Sequence, residues 1–184
     1  MRFVKLLAIG MAVLSLWAAC GKKETETTKQ QAIMMPIDWS QHGFPIIIDS
    51  AVVPQDKVDT VTAGVYTFQI LEGTFNNPVK FEVLAGDTAE FKRNAPEGQL
   101  PILAFALNVT DTVTHKIVDK FNKPILVVIT SPSIDEQTKY YNVTTGRDFS
   151  VNSAGMEVSN GQLEHPIDGT QVGWVITTPA GQAD

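Results

Sequence analysis

From Pro45 onward the chain consists of short apolar runs broken by Gly, Pro, Asn and Asp. That spacing constrains the fold more than any other feature. "GVYTFQILEG" sets Tyr66, Phe68 and Ile70 against Thr67 and Gln69, the period of two of a half-buried strand. "PVKFEVLAGD" repeats the pattern, with Val79, Phe81 and Val83 on one face and Lys80 and Glu82 on the other. "PILAFALNV" puts Leu103, Phe105, Leu107 and Val109 on one face and Ala104 and Ala106 on the other, which predicts burial on both sides. "PIIID" and "PILVVIT" read as buried strands, and "TKYYNVT" and "QVGWVITT" complete the set. Within a strand Tyr140 and Tyr141 must point to opposite faces, one into the core and one outward.

No window carries a sustained 3.6-residue apolar stripe with helix caps. The runs are rich in Val, Ile, Thr, Tyr and Phe, and turn signals recur about every 8–12 residues. The pattern predicts an all-β fold, an antiparallel β-sandwich of about seven to nine strands. A barrel is the structural alternative that periodicity leaves open. Pro78, Pro101 and Pro124 stand 23 residues apart and read as strand starts, where a missing N–H costs no ladder bond. Their units share little beyond proline and an aliphatic successor, so the spacing reads as that of paired strands rather than a repeat. With 184 residues, 43% hydrophobic and 18% charged, the chain suits one domain with a real core.

Ahead of the strands lies a different kind of sequence. "MRFVK" is a short basic start, and "LLAIGMAVLSLWAA" is a mostly apolar run without charge, the n-region and h-region of a secretory signal peptide. A transmembrane helix needs about 20 apolar residues, and Leu6 to Ala19 supplies only 14. "WAAC" follows, with small residues Ala18 and Ala19 before Cys20. This stretch resembles a bacterial lipoprotein signal, in which an aliphatic residue, two small residues and a cysteine form the lipobox. Trp17 departs from the pattern, standing where that family usually has Leu. The resemblance implies cleavage before Cys20, with a diacylglyceryl thioether and often an amide-linked chain on the new first residue.

Cysteine usage agrees, because Cys20 is the one cysteine in the chain and has no intrachain partner. Two or three acyl chains make a stable anchor where one is marginal, at about 0.8 kcal/mol per buried methylene. After Cys20 come Gly, Lys, Glu, Thr and Gln, and Gly21 to Gln31 reads as a flexible tether. The expected division is therefore a signal peptide at 1–19, lipidated Cys20 and tether at 20–42, and a single sandwich domain at 43–184. Trp39 and Phe44 are placed to staple the tether to the domain or to form part of a partner site.

Net charge is −6, and residues 1–19 hold Arg2 and Lys5 without an acid, which leaves −8 on the remainder. An acidic surface repels phosphate backbones, so no nucleic-acid partner is expected. The histidines, His42, His115 and His165, lie far apart in sequence, and no metal, nucleophile-elbow or phosphate-cradle motif occurs. His115 reads as an exposed strand-edge residue, and Trp174 as core rather than a sugar platform. Asp87, Asp111 and Asp119 lie near strand ends, where a loop calcium site is conceivable, although acids there ordinarily make Asx-turns. Asn108 and Asn142 each open an "NVT" sequon, a match expected by chance in a bacterial lipoprotein.

The segment from Val79 to Ile176 resembles Ig-like modules of bacterial surface proteins. It carries their "V-x-D-x-x-T" turn at Val109, Asp111 and Thr114, and their "F-x-K-P" strand entry at Phe121, Lys123 and Pro124. Tyr140 and Tyr141 stand as the late aromatic pair. The resemblance implies a binding or structural module without catalytic residues or cofactor. The expected protein is thus a non-enzymatic lipoprotein of the bacterial cell envelope. It would be held to the membrane through acyl chains on Cys20 and meet a protein or glycan partner through sheet edges or loops. The alternatives are a small-ligand or calcium-binding lipoprotein and, further off, an envelope hydrolase assembled from distant Ser, His and Asp.

Overall fold

The computed structural model describes residues 37–181. The expected signal peptide, Cys20 and the expected tether up to residue 36 lie outside the described residues. The described chain folds as an antiparallel β-sandwich. One sheet has six strands in the order β1-β4-β5-β11-β7-β8, and the other has five in the order β2-β3-β6-β10-β9. The first sheet is built from β1 (Ile46–Val53), β4 (Val79–Ala85), β5 (Gln99–Asp111), β7 (Lys139–Val143), β8 (Phe149–Val151) and β11 (Gly173–Pro179). The second holds β2 (Asp59–Ala63), β3 (Tyr66–Ile70), β6 (Lys120–Thr130), β9 (Glu157–Ser159) and β10 (Gln162–Gly169). The chain crosses between sheets repeatedly, so neither sheet forms from one continuous stretch.

There are eleven strands rather than seven to nine. The additional ones carry weak signals for physical reasons. β8 and β9 have three residues each, too few to show a period. β10 points Leu163, His165 and Ile167 inward, and a histidine and a proline interrupt its apolar alternation.

The core between the sheets follows the alternation of the strands. Phe68, Phe81, Phe105, Leu107, Val109, Ile125, Val127, Ile129 and Trp174 are all buried in it. Phe105 sits at its centre, stacked on Trp174 at 4.9 Å between ring centroids and tilted against Tyr66 at 4.8 Å. Such aromatic pairs add about 0.5–1.5 kcal/mol to plain burial. The Tyr66 hydroxyl donates to the Ala104 carbonyl at 3.2 Å, tying β3 to β5 across the two sheets.

Both faces of β5 are buried, as its double-sided apolar pattern predicts. Ala104 and Ala106 belong to a second cluster on the outer face of the six-stranded sheet, with Leu84, Val143 and Val175. A 3-10 helix at Trp39–His42 and the short α1 (Thr88–Phe91) cover this face with Trp39, Phe44 and Phe91. Close approach there depends on absent side chains. A Cβ on Gly173 would meet Phe44 at 2.3 Å, and one on Gly86 would meet Ala104 at 2.6 Å.

Several local expectations need correction. Trp39 is buried against the outer face, so the packed domain takes in residues that the sequence assigns to the tether up to 42. "PIIID" is exposed rather than buried, because β1 is an edge strand and Ile46 and Ile47 are 59% and 54% accessible. Tyr141 is buried like Tyr140, on the opposite face, where the Phe149 ring lies 5.6 Å away. Pro78 precedes β4 as expected, but Pro101 and Pro124 lie inside β5 and β6. Pro101 sits beside the register shift at Ile176/Thr177, and Pro124 at the one opposite Ile167/Gly169. Bulges tolerate the missing donor.

Candidate functional site

Two features stand out among the described residues. The first is the edge at β1. Its eight residues exceed those of the other edge strands, five in β2 and three each in β8 and β9. One side of β1 pairs with β4, and no described strand pairs with the other. A bulge lies between Ile47 and Asp49, so the regular ladder runs from Asp49 to Val53. Ile46, Ile47 and Ile48 are exposed before it, and Val52 is 70% accessible within it. An unpaired row of backbone donors and acceptors next to exposed apolar side chains is a template for another strand.

The second feature is a cleft of about 360 Å³ at one corner of the sandwich. Alternation places Asn142 on the inward face of β7, because Tyr140 faces the inner core and Val143 the outer cluster. Asn142 lies directly across from Trp174 of β11 in the ladder. Asn152, just after β8, donates from Nδ2 to Asn142 Oδ1 at 3.0 Å. On the facing sheet, Asp119 Oδ2 accepts from Gln171 Nε2 at 3.0 Å. The register shift beside Asp168 ends β10 at Gly169 opposite Lys120. A Cβ on Gly169 would stand 2.2 Å from the Asp119 carbonyl oxygen, so only glycine lets these backbones meet. Ile167, Val172 and Trp174 supply the apolar part of the lining.

One step deeper along β7 and β10, the rings of Tyr140 and His165 meet at 4.2 Å. Both are 1% exposed, and neither the Tyr140 hydroxyl nor either His165 ring nitrogen has a hydrogen-bond partner. Desolvation lowers the His165 pKa from 6.5 to about 4 and raises that of Tyr140 well above 10. Both side chains are therefore neutral at physiological pH.

The other residues singled out by sequence are dispersed. His42 lies in the 3-10 helix against Trp39, and His165 in the core. His115 is exposed, but in the turn after β5 rather than on a strand edge, with φ of 56°. No carboxylate orients His165, whose ring nitrogens are unpartnered, as a Ser-His-Asp arrangement requires.

Asp87 caps α1 by accepting from the Ala89 N–H at 2.9 Å. Asp111 accepts from Asn77 Nδ2 and from the Val113 and Thr114 amides, each at 2.8 Å. The Asn77 bond, followed by the Thr114 amide, holds its carboxyl below the usual range. No group of three potential metal-ligating side chains gathers among the described residues. Trp174 is buried in the inner core. Among the described residues no helix is long and apolar enough to cross a membrane. Compared with known proteins, the chain matches no family model and no curated protein.

Sequence reasoning did not find the cleft. Its polar residues come from β6, β7, β10 and three separate connections, and no local motif joins them. The signal that existed was Asn142, an amide at an inward position of β7.

Proposed function

We propose that this protein is a lipid-anchored, non-enzymatic module of the bacterial cell envelope that binds a partner protein by strand addition at β1. The observation that carries the reading is the long unpaired β1 edge with Ile46, Ile47, Ile48 and Val52 exposed along it. In strand addition, main-chain hydrogen bonds supply affinity and alternate side chains supply specificity. A second copy of this chain is a poor occupant. Two mature chains, each of net charge −8 once residues 1–19 are removed, repel one another, so the fitting partner is a different protein whose extended segment is neutral or basic. The anchor at Cys20, taken from the lipobox resemblance, puts that encounter at a membrane surface.

Photo-crosslinking in intact cells tests this. A photoreactive residue replaces Ile47 in the full chain, and Val151 on the opposite edge serves as the control. The reading expects a discrete adduct with a different protein from position 47. It also expects no such adduct from position 151, and loss of the first in Ile46→Asp and Ile48→Asp. An adduct of the chain with itself, adducts to lipid alone, or equal adducts from both edges would overturn it.

A further inference from the structure

We infer that the corner cleft between β7 and β10 is a binding site for a small neutral polyhydroxylated ligand of the saccharide class. The inference does not depend on the β1 edge or on Cys20. Its volume of about 360 Å³ falls within the ordinary range of small-molecule sites, which begins near 300 Å³. Its chemistry sets the class. The Asn142–Asn152 hydrogen bond consumes one amide donor and one carbonyl acceptor. It leaves one carbonyl and one amine for a ligand, whichever way the two amides are turned. A hydroxyl, which both donates and accepts, can meet such a pair.

Across the cleft, Asp119 and Asp168 stand with a single lysine, Lys120. That balance opposes an anionic ligand, while carboxylates accept strongly from hydroxyl groups. The Gln171–Asp119 bond and the close backbone contact at Gly169 hold this wall before any ligand arrives, and such preorganisation lowers the cost of binding.

A second observation sets this corner apart from ordinary core. Directly behind the cleft, on the same faces of β7 and β10, lie the unpartnered Tyr140 hydroxyl and both unpartnered His165 nitrogens. A sandwich built only for packing places hydrophobes at such positions, because a buried polar atom without a partner costs about 1–3 kcal/mol. Along β7 polar groups continue inward from Asn142 to Tyr140, whereas on β10 the apolar Ile167 stands between the cleft and His165.

The test is ligand-observed NMR and calorimetry on the full chain in detergent. Glucose, galactose and their N-acetylamino forms are the probes, with glucuronic acid as the charged comparator. Saturable binding of at least one neutral sugar is expected, with weaker binding of the uronic acid. Asn152→Ala and Asp168→Ala should each weaken binding about tenfold, one hydrogen bond's worth, and Asp168→Ala, whose side chain is exposed, should leave melting unchanged. Absence of saturable binding across the panel overturns the inference. So does binding that both variants leave intact, or a preference for glucuronic acid. The crosslinking result at β1 bears on none of these outcomes, so the two readings fail separately.

Discussion

His165 packs against the Tyr140 ring at 4.2 Å inside the sandwich, with both nitrogens unpartnered and its pKa lowered by burial from 6.5 to about 4. A histidine whose pKa is lower in the folded state binds its proton more readily when unfolded. Its contribution to stability is therefore complete above pH 6.5 and is lost as pH falls toward 4. Each pKa unit corresponds to about 1.4 kcal/mol, so the full traverse removes about 3 kcal/mol of folding free energy. Tyr140, the titratable group facing it, stays neutral throughout because burial raises its phenol well above 10.

Urea denaturation across that pH range, on wild type and His165→Leu, isolates the effect. Carboxylates such as Asp111, whose pKa is lowered by the Asn77 hydrogen bond, also lose stability toward acid, but equally in both proteins. The difference between the two should shift by about 3 kcal/mol over the traverse, in favour of the leucine variant at low pH. Parallel pH profiles for the two proteins would refute the reasoning, since they would mean that His165 takes up its proton without disturbing the fold.

Two further outcomes follow from the packing and are checked by denaturant titration at neutral pH. Phe105→Ala removes the ring that stacks on Trp174 and meets Tyr66 and Phe68, and should cost about 3–5 kcal/mol. Gly173→Ala places a methyl group against the Phe44 ring and should cost about 1–3 kcal/mol through overpacking. Phe44→Leu in the same background should recover part of that loss.

The architecture was legible wherever burial followed a simple period. Phe68, Phe81 and Phe105 announce their faces because strand alternation converts directly into inside and outside. Ala104 and Ala106 announced the second buried face of β5 in the same way. Of what covers that face, Trp39 and Phe44 were read as a staple onto the domain, and both are buried there, but Phe91 was not legible, since its place is set by the short α1 and by glycines whose role is purely steric. The isoleucines of β1 misled for the opposite reason: composition cannot distinguish a central strand from an edge. The cleft was hidden because Asn142, Asn152, Asp119, Asp168 and Gln171 converge only after the chain has crossed between the sheets. The lipobox resemblance at Cys20 is local, and it was read from adjacent residues alone.

The central claim, that this sandwich works at a membrane surface to which Cys20 holds it, is tested most directly by intact mass spectrometry of membrane-fraction protein, wild type beside Cys20→Ser. The account predicts a wild-type chain that begins at Cys20 and carries acyl mass which the serine variant lacks. A wild-type chain recovered with a free Cys20 thiol, whether cleaved or not, would contradict it.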